Sequence, residues 1–520
     1  MLKKIGIVFS LVLSLAVESN AQKNISKKAV QLKTAKAYSF KNYPLLEISS
    51  EQMQGMTSKV EKEFNREPAQ ISSDGLESLM SKDLEFKKFK DSYMDLDLVN
   101  NPLLIEAFIA DYMTKIKEKT VKSNSVKFVV AQMQTFKAFR SFLYRIRPYV
   151  SQTSMTNSLL LTAGYNLNFV QKTYFNNKQT AGAVKYITEP FSLDDVSKEI
   201  TTAQQFHDFL FYELYKHLQI ASDMLVTMAA EDATGTTPLA IYDNQMVFLD
   251  GSFQDGIERY KAVSHSEVYA MVSVLESAMS QIAFSISYNF DGMDKVVKEM
   301  SKVHGFDGGL FSSDVEGLHA KKKREIIMKP EYASFLTLKP QSADSLNRSL
   351  IHLQRSVDFA DSSWKYLNAQ KNKKSYMLNY SMVEPYKNEG SLTVSKWKEL
   401  VNSKQPVLIR SAVTGQATRV QINSLFLEDS AIKDLKSLLP TAFNTANRKT
   451  MKKKIGTGDQ MVEAEYRNFN YGSAEAWDLN VYKKVFPDLK SNADVPSVAN
   501  ILSTAWGSAG ALAPFSFLLN

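Results

Sequence analysis

The chain has 520 residues, 44% of them apolar and 23% charged, with a formal net charge of +8 and no cysteine. At roughly 100–200 residues per unit, that length allows two to four compact units or one large helical assembly. The apolar share is enough for substantial cores and excludes a disordered, collagen-like or low-complexity chain. The missing cysteines exclude disulfides, thiolate nucleophiles, Cys-ligated zinc and iron–sulfur clusters.

The first 21 residues read as a secretory signal peptide. Lys3 and Lys4 form a positive start, Ile5 to Val17 is uncharged and apolar, and Ser19-Asn20-Ala21 puts small residues at −3 and −1. Cleavage after Ala21 sends the chain through the Sec route to a periplasmic or extracellular location. An exported basic protein meets anionic glycans, lipid headgroups and acidic proteins, so these are the expected partners. Nucleic acid and an integral membrane span are not expected, no cofactor is implied, and the oligomeric state is open.

Helical periodicity dominates the rest of the chain, and the expected fold class is mainly α, with one or two small β-hairpins. Helices are expected over 51–66, 72–90, 102–120 and 153–175. A clearer one runs from about Ser125 to Arg147, and another from about Thr202 to Ala230. Leu239 to Tyr242 and Gln245 to Leu249 form a candidate hairpin turning at Asp243-Asn244. Ser264-His265-Ser266-Glu267 has the capping-box form before an apolar stripe from Val268 to Ala283. Further helices are expected at 293–303, 314–328, 342–367, 395–403, 429–439 and 497–506. A second hairpin joins Val407–Ile409 to Arg419–Ile422 around Gly415. Loop-rich stretches suggest units at 22–233, 234–375 and 376–520. No repeat of solenoid length is apparent.

Charge is strongly segregated. No Asp or Glu occurs from Lys119 to Thr188, which holds Lys119, Lys122, Lys127, Lys137, Arg140, Arg145, Arg147, Lys172, Lys178 and Lys185. The next stretch, Glu189 to Glu258, is acid-rich, with only Lys198 and Lys216 opposing. On a continuous 125–147 helix, Phe128, Phe136, Phe139, Phe142, Leu143 and Ile146 share one half of the wheel. Lys127, Lys137, Arg140, Tyr144, Arg145 and Arg147 take the other half. Such a face can hold phosphates or carboxylates through guanidinium forks, with Tyr144 stacking on a sugar or base. It can equally be neutralised by the acidic segment next in the chain. Two more basic clusters, Lys321-Lys322-Lys323-Arg324 and Arg448-Lys449 with Lys452-Lys453-Lys454, read as solvated helix ends or loops.

For catalysis or metal binding, the candidates are Glu213 and His217. Their i, i+4 spacing lets a carboxylate orient an imidazole. His207 lies ten residues before His217, too far along a helix to share one ion with it. Ser430-Ala431-Ile432-Lys433 has the Ser-x-x-Lys form of penicillin-recognising acyl-enzymes, but the accompanying Ser-x-Asn and Lys-Thr-Gly elements are not in place. The acidic pairs Asp194-Asp195 and Glu231-Asp232 read as caps or turn residues. From Val495 to Asn520 the chain is uncharged but broken by Gly507, Gly510 and Pro514, which suits a docked terminus.

The leading expectation is a non-catalytic exported binding or scaffold protein of a bacterial envelope. It would hold an anionic glycan, a lipid surface or an acidic protein through the 119–188 region. The alternatives are an exported hydrolase, possibly metal-assisted, around Glu213 and His217, and a structural subunit docking through its apolar tail.

Overall fold

Several helices in this chain start where a side chain satisfies an unpaired first-turn N–H group. A computed structural model describes residues 38–46, 73–146, 178–192, 195, 198–231, 238–243, 260–300, 321, 324–369, 376–377, 387–411, 414–443, 451–455, 462–466 and 474–505. The expected signal peptide, the expected helices 51–66 and 153–175, the expected strand 245–249, Arg147 and the tail beyond Ala505 lie outside these residues. So do Lys322, Lys323, Arg448 and Lys449.

The fold is mainly helical, with small antiparallel two-stranded sheets. The expected helix 72–90 is broken by Asp83, whose carboxylate takes the Phe86 N–H. Helix α1 is Ser73–Lys82 and α2 is Leu84–Met94. Helix α3 (Leu104–Lys117) carries Lys115 and Lys117 in its last turn, where a cation complements the helix dipole. Helix α4 (Asn124–Phe136) starts at Ser123, which caps Val126.

Here the structure departs from the expected continuous 125–147 helix. Lys137–Phe139 tightens to a 3-10 turn, and Ser141 adopts a left-handed φ of 52° before the short α5 (Phe142–Arg145). The cause is tertiary. Helix α6 (Lys178–Thr188), absent from the sequence expectations, supplies the Tyr186 carbonyl to the Ser141 N–H at 2.7 Å. It approaches closely because Gly182 lies over Leu98, where a Cβ would come within 2.2 Å of the leucine Cβ.

Ala203–Asp208, Phe209–Tyr215 and Lys216–Glu231 run on as one helix, α7, whose middle stretch is π-helical. Thr202 and Gln205 form a reciprocal capping box at its start. Strand β1 (Ala240–Asp243) pairs antiparallel with β2 (Tyr260–Val263), while the 245–249 half of the expected hairpin lies outside the described residues. Lys90 of α2 reaches the buried Asp243 at 2.5 Å.

The capping box at Ser264 and Glu267 is present, and opens helix α8 (His265–Ile286). By length and composition α8 could cross a membrane, and in the fold it is a core helix with most residues covered. Helix α9 (Met293–Met300) comes next, then α10 (Ala343–Ala369) and α11 (Lys387–Asn402). The expected hairpin is formed by β3 (Val407–Arg410) and β4 (Ala417–Val420), turning at Gly415 with φ 71°.

The 429–439 segment is mostly turns, with a 3-10 stretch at Leu435–Leu438. Two further strand pairs complete the C-terminal part. The expected loop around Lys452 lies on a strand, Met451–Ile455, whose register sets Lys452 opposite Glu465 and Lys454 opposite Glu463. Ala442–Phe443 pairs with Ala474–Ala476. The last helix, α12 (Asp494–Ala505), packs on the β3–β4 pair.

Buried apolar side chains from Tyr38 to Ile501 form one connected core. Its centre is the antiparallel pair α8–α10, joined by a serine ladder. Ser266, Ser273 and Ser280 recur every seventh residue on α8, and face Ser363, Ser356 and Ser349 on α10. Each rung closes on the opposite backbone. Ser363 Oγ donates to Ser266 O at 2.8 Å, Ser356 Oγ to Ser273 O at 2.8 Å, and Ser349 Oγ to Ser280 O at 2.8 Å. Ser280 Oγ returns a bond to Ser349 O at 2.7 Å, and Ser266 Oγ to Ser363 O at 3.1 Å. A small hydroxyl lets two helices approach closely and satisfies itself across the seam, where a longer side chain would hold them apart. Ser287 and Ser342 continue the spacing, but Ser287 Oγ turns back to Ala283 O.

Candidate functional site

The cationic residues singled out in the sequence do not share a free face. The helix that carries Lys127 ends at Phe136, so Arg140 and Arg145 do not continue its face. Arg140 sits at a three-way junction, its NH1 3.2 Å from Glu106 Oε1 on α3 and its NH2 2.8 Å from Asp195. Tyr186 on α6 donates to the same Glu106 oxygen at 2.8 Å. Burial opposes both charges of the Arg140–Asp195 pair. Their contact overcomes it, raising the guanidinium and lowering the carboxyl from their ordinary ranges.

Arg145 is buried and grips Glu213 bidentately, at 2.6 and 2.9 Å, while its Nε donates to Lys198 O at 3.1 Å. Its guanidinium also lies over the Phe209 ring at 5.0 Å. Lys127 pairs with the half-exposed Glu231 at 2.9 Å, and Lys185 donates to Val99 O at 2.8 Å. Three of the four carboxylates that receive these cations, Asp195, Glu213 and Glu231, come from the acid-rich stretch C-terminal to them. Tyr144 and Lys137 are half-buried. Lys119 and Lys122 are exposed, near the C-terminal end of α3.

The expected Glu213–His217 pair is not assembled either. The i, i+4 contact presumes α-helical spacing, but Glu213 lies in the π-helical stretch and turns to Arg145. His217 Nδ1 instead meets Gln134 Nε2 at 3.1 Å, across the α4–α7 contact. Burial, with Lys137 and Lys216 nearby, pushes its pKa down to about 4. Among the described residues, no group of three or more His, Asp or Glu side chains is placed to hold a metal ion. Ser430 and Lys433 do not meet, since Ser430 Oγ donates to Ser424 O and Lys433 to Glu428 O.

What the fold brings together is a different set, between the second and third serine rungs. Tyr215 Oη lies 2.6 Å from His352 Nε2, and His352 Nδ1 lies 2.6 Å from Glu276 Oε2. Ser222 and Arg355 both donate to Glu276 Oε1 at 2.9 Å. Glu276 and His352 are almost wholly buried. Burial lowers the imidazole pKa, which gives one consistent assignment. The tyrosine hydroxyl donates to Nε2 of a neutral ring, whose Nδ1–H donates to the carboxylate. Burial opposes the Glu276 charge, but His352 and Arg355 hold its pKa down at about 2. Asp223, one helical position beyond Ser222, moves the other way. Burial and the nearby Glu276 push it up to about 7, against the pull of Arg355 and Gln219.

A second buried cluster lies nearby. Lys339 Nζ is 2.9 Å from His207 Nδ1 and 5.2 Å from the Tyr38 ring, and Tyr38 donates to Asp208 at 3.1 Å. Burial lowers Lys339 to about 8, with Asp291 and Asp208 opposing, and holds His207 well below its ordinary value.

A hydroxyl–imidazole–carboxylate row has the parts of an acid–base relay. In this position it is buried between α7, α8 and α10, and each of its hydrogen bonds joins two of those helices. Sequence reasoning missed it because Glu276 and His352 lie 76 residues apart on two helices, each read only for its apolar stripe. The seven-residue serine spacing on both helices was the available signal. No protein-family model matches the chain, and no curated protein or solved structure matches it either.

Proposed function

We propose that this chain is a non-catalytic exported scaffold or binding protein of a bacterial envelope that engages an anionic polymer. The observation that carries this is how the described cations of the acid-free segment divide. The inner ones, Arg140 and Arg145, are spent on internal carboxylates and build the fold. Lys119 and Lys122 stand exposed beside Lys117 at the end of α3. Lysines on long stems at a helix end offer mobile point charges without a shaped pocket. They respond to the charge density of a polymer more than to one small anion. Export rests on the character of residues 1–21, and the connected helical core joined by the serine ladder suits a scaffold.

The test uses polyphosphate as the probe with the full-length mature chain. Binding should weaken steeply with added salt, and Lys119→Glu combined with Lys122→Glu should weaken it at least tenfold at low salt, with the melting temperature unchanged. Unchanged polyphosphate affinity in the double variant overturns the proposal. Binding to anionic lipid vesicles or an acidic protein in place of polyphosphate overturns the choice of a polymer partner.

A further inference from the structure

The loop between α3 and α4, which carries Lys119 and Lys122, is tied to the first turn of α2 by two carboxylates. Glu85 Oε2 accepts the backbone N–H of Lys122 at 2.9 Å and of Ser123 at 2.6 Å. Asp83 accepts from Ser123 Oγ at 2.6 Å and from Phe86 N at 2.9 Å. Both acids are thus spent on backbone and hydroxyl donors at the junction. The lysines around it face outward. Lys88 stands one helical turn beyond Glu85, Lys87 lies beside it, and Lys82 ends α1, all three exposed. Among the described residues, none of Lys82, Lys87, Lys88, Lys119 and Lys122 forms an ion pair. The acids adjoining them on these elements, Glu118 and Asp91, are exposed and outnumbered.

The backbone at Lys119 adds a second observation. Helix α3 closes with Lys119 N–H bonded to Ile116 O at 3.0 Å and Thr120 N–H to Lys115 O at 2.9 Å. This closure sets Lys119 in the left-handed region, with φ 58°, where glycine is the least costly residue. The chain therefore holds a cation at a position that conformation alone would give to glycine.

We propose that Lys87 and Lys88 of α2, with Lys82, continue the Lys119 and Lys122 cluster as one binding surface for a linear polyanion. This rests on the polyanion reading above and extends it to a surface made by three elements. Mobile point charges spread over two helices and a loop are matched by a chain of repeating anions, which meets several of them at once. A lipid surface fits less well. The apolar side of α2, Phe86, Phe89 and Tyr93, is buried in the core, which leaves Leu84 as its exposed apolar residue. A helix that lies in a membrane interface needs a whole apolar face.

The experiment measures binding of the full-length mature chain to long-chain polyphosphate and to triphosphate over a range of salt concentrations. Lys87→Gln with Lys88→Gln should weaken polyphosphate binding by about three- to tenfold at low salt. The same change should lower the slope of log affinity against log salt by roughly one to two, since each lysine withdrawn frees about one phosphate. Triphosphate should bind at least about tenfold more weakly than the long chain. Lys119→Gly should weaken binding while leaving the melting temperature equal or higher, a pair of signs that loss of folding cannot produce. Unchanged affinity and slope in the α2 double variant, with Lys119→Glu and Lys122→Glu still weakening binding, overturns the extended surface and leaves the polyanion reading standing. An equal loss from Lys483→Gln with Lys490→Gln, exposed lysines of the C-terminal part, also overturns it. So does triphosphate binding as tight as that of the long chain, or a preference for anionic vesicles that Leu84→Ser removes.

Discussion

Replacing Glu276 with glutamine tests the account of the bundle core most directly. The buried carboxylate accepts hydrogen bonds from Ser222 and the partly exposed Arg355 and lies 2.6 Å from the buried His352 Nδ1. A glutamine keeps the shape and half of the accepting capacity, but leaves the Arg355 charge without its counter-ion. Breaking a buried pair from one side costs about 3–5 kcal/mol. The titration behaviour gives a second route to the magnitude. The folded pKa of Glu276 is about 2 against 4.5. At ~1.4 kcal/mol per unit, ionised Glu276 contributes about 3 kcal/mol at neutral pH.

A depressed carboxylate stabilises the fold above its unfolded pKa and loses that contribution as pH falls from about 4.5 toward 2. Glu276→Gln should therefore cost about 3 kcal/mol at pH 7 and progressively less below pH 4, measured by urea unfolding at several pH values. A cost under 1 kcal/mol at pH 7, or one that does not change with acid, would refute the assignment of an ionised, paired Glu276.

The serine ladder predicts an ordering by size. Ser349→Ala should cost about 1 kcal/mol for the lost hydrogen bonds, whereas Ser349→Val should cost a further 1–3 kcal/mol by forcing α8 and α10 apart. Equal urea midpoints for the two variants would contradict close packing at that rung. The cations of the acid-free segment should differ according to burial. Arg145→Ala, which removes a buried bidentate partner, should destabilise by about 2–4 kcal/mol. Lys127→Ala, facing a half-exposed carboxylate, should stay within about 1 kcal/mol, and thermal denaturation separates the two.

Much of the helical framework was legible because its signals are local. The Ser264–Glu267 box, the apolar stripe of α8 and the spacing over 342–367 depend on residues within a turn or two of each other. The β3–β4 hairpin was readable for the same reason, with Gly415 between two apolar-alternating runs. The cationic wheel over 125–147 was read from equally regular spacing and failed at a point that spacing cannot reveal. Ser141 takes a left-handed conformation because Tyr186, 45 residues later, offers its carbonyl. Likewise, the Glu213–His217 pair assumed 3.6 residues per turn across a stretch that is π-helical. The pairing of Ala240–Asp243 with Tyr260–Val263 was not legible because the two strands lie roughly twenty residues apart, beyond the reach of a local turn signal.

By itself, the sequence determined a cysteine-free, mainly helical chain with defined caps, and a cationic stretch followed by an anionic one. Only the tertiary structure decided which charges are used up inside the fold and which meet solvent. It also decided that Glu276, His352 and Tyr215 meet at all. Helix periodicity is a property of a few consecutive residues, whereas a buried charge is tolerated only where the packing of distant segments supplies its counter-ion and excludes water.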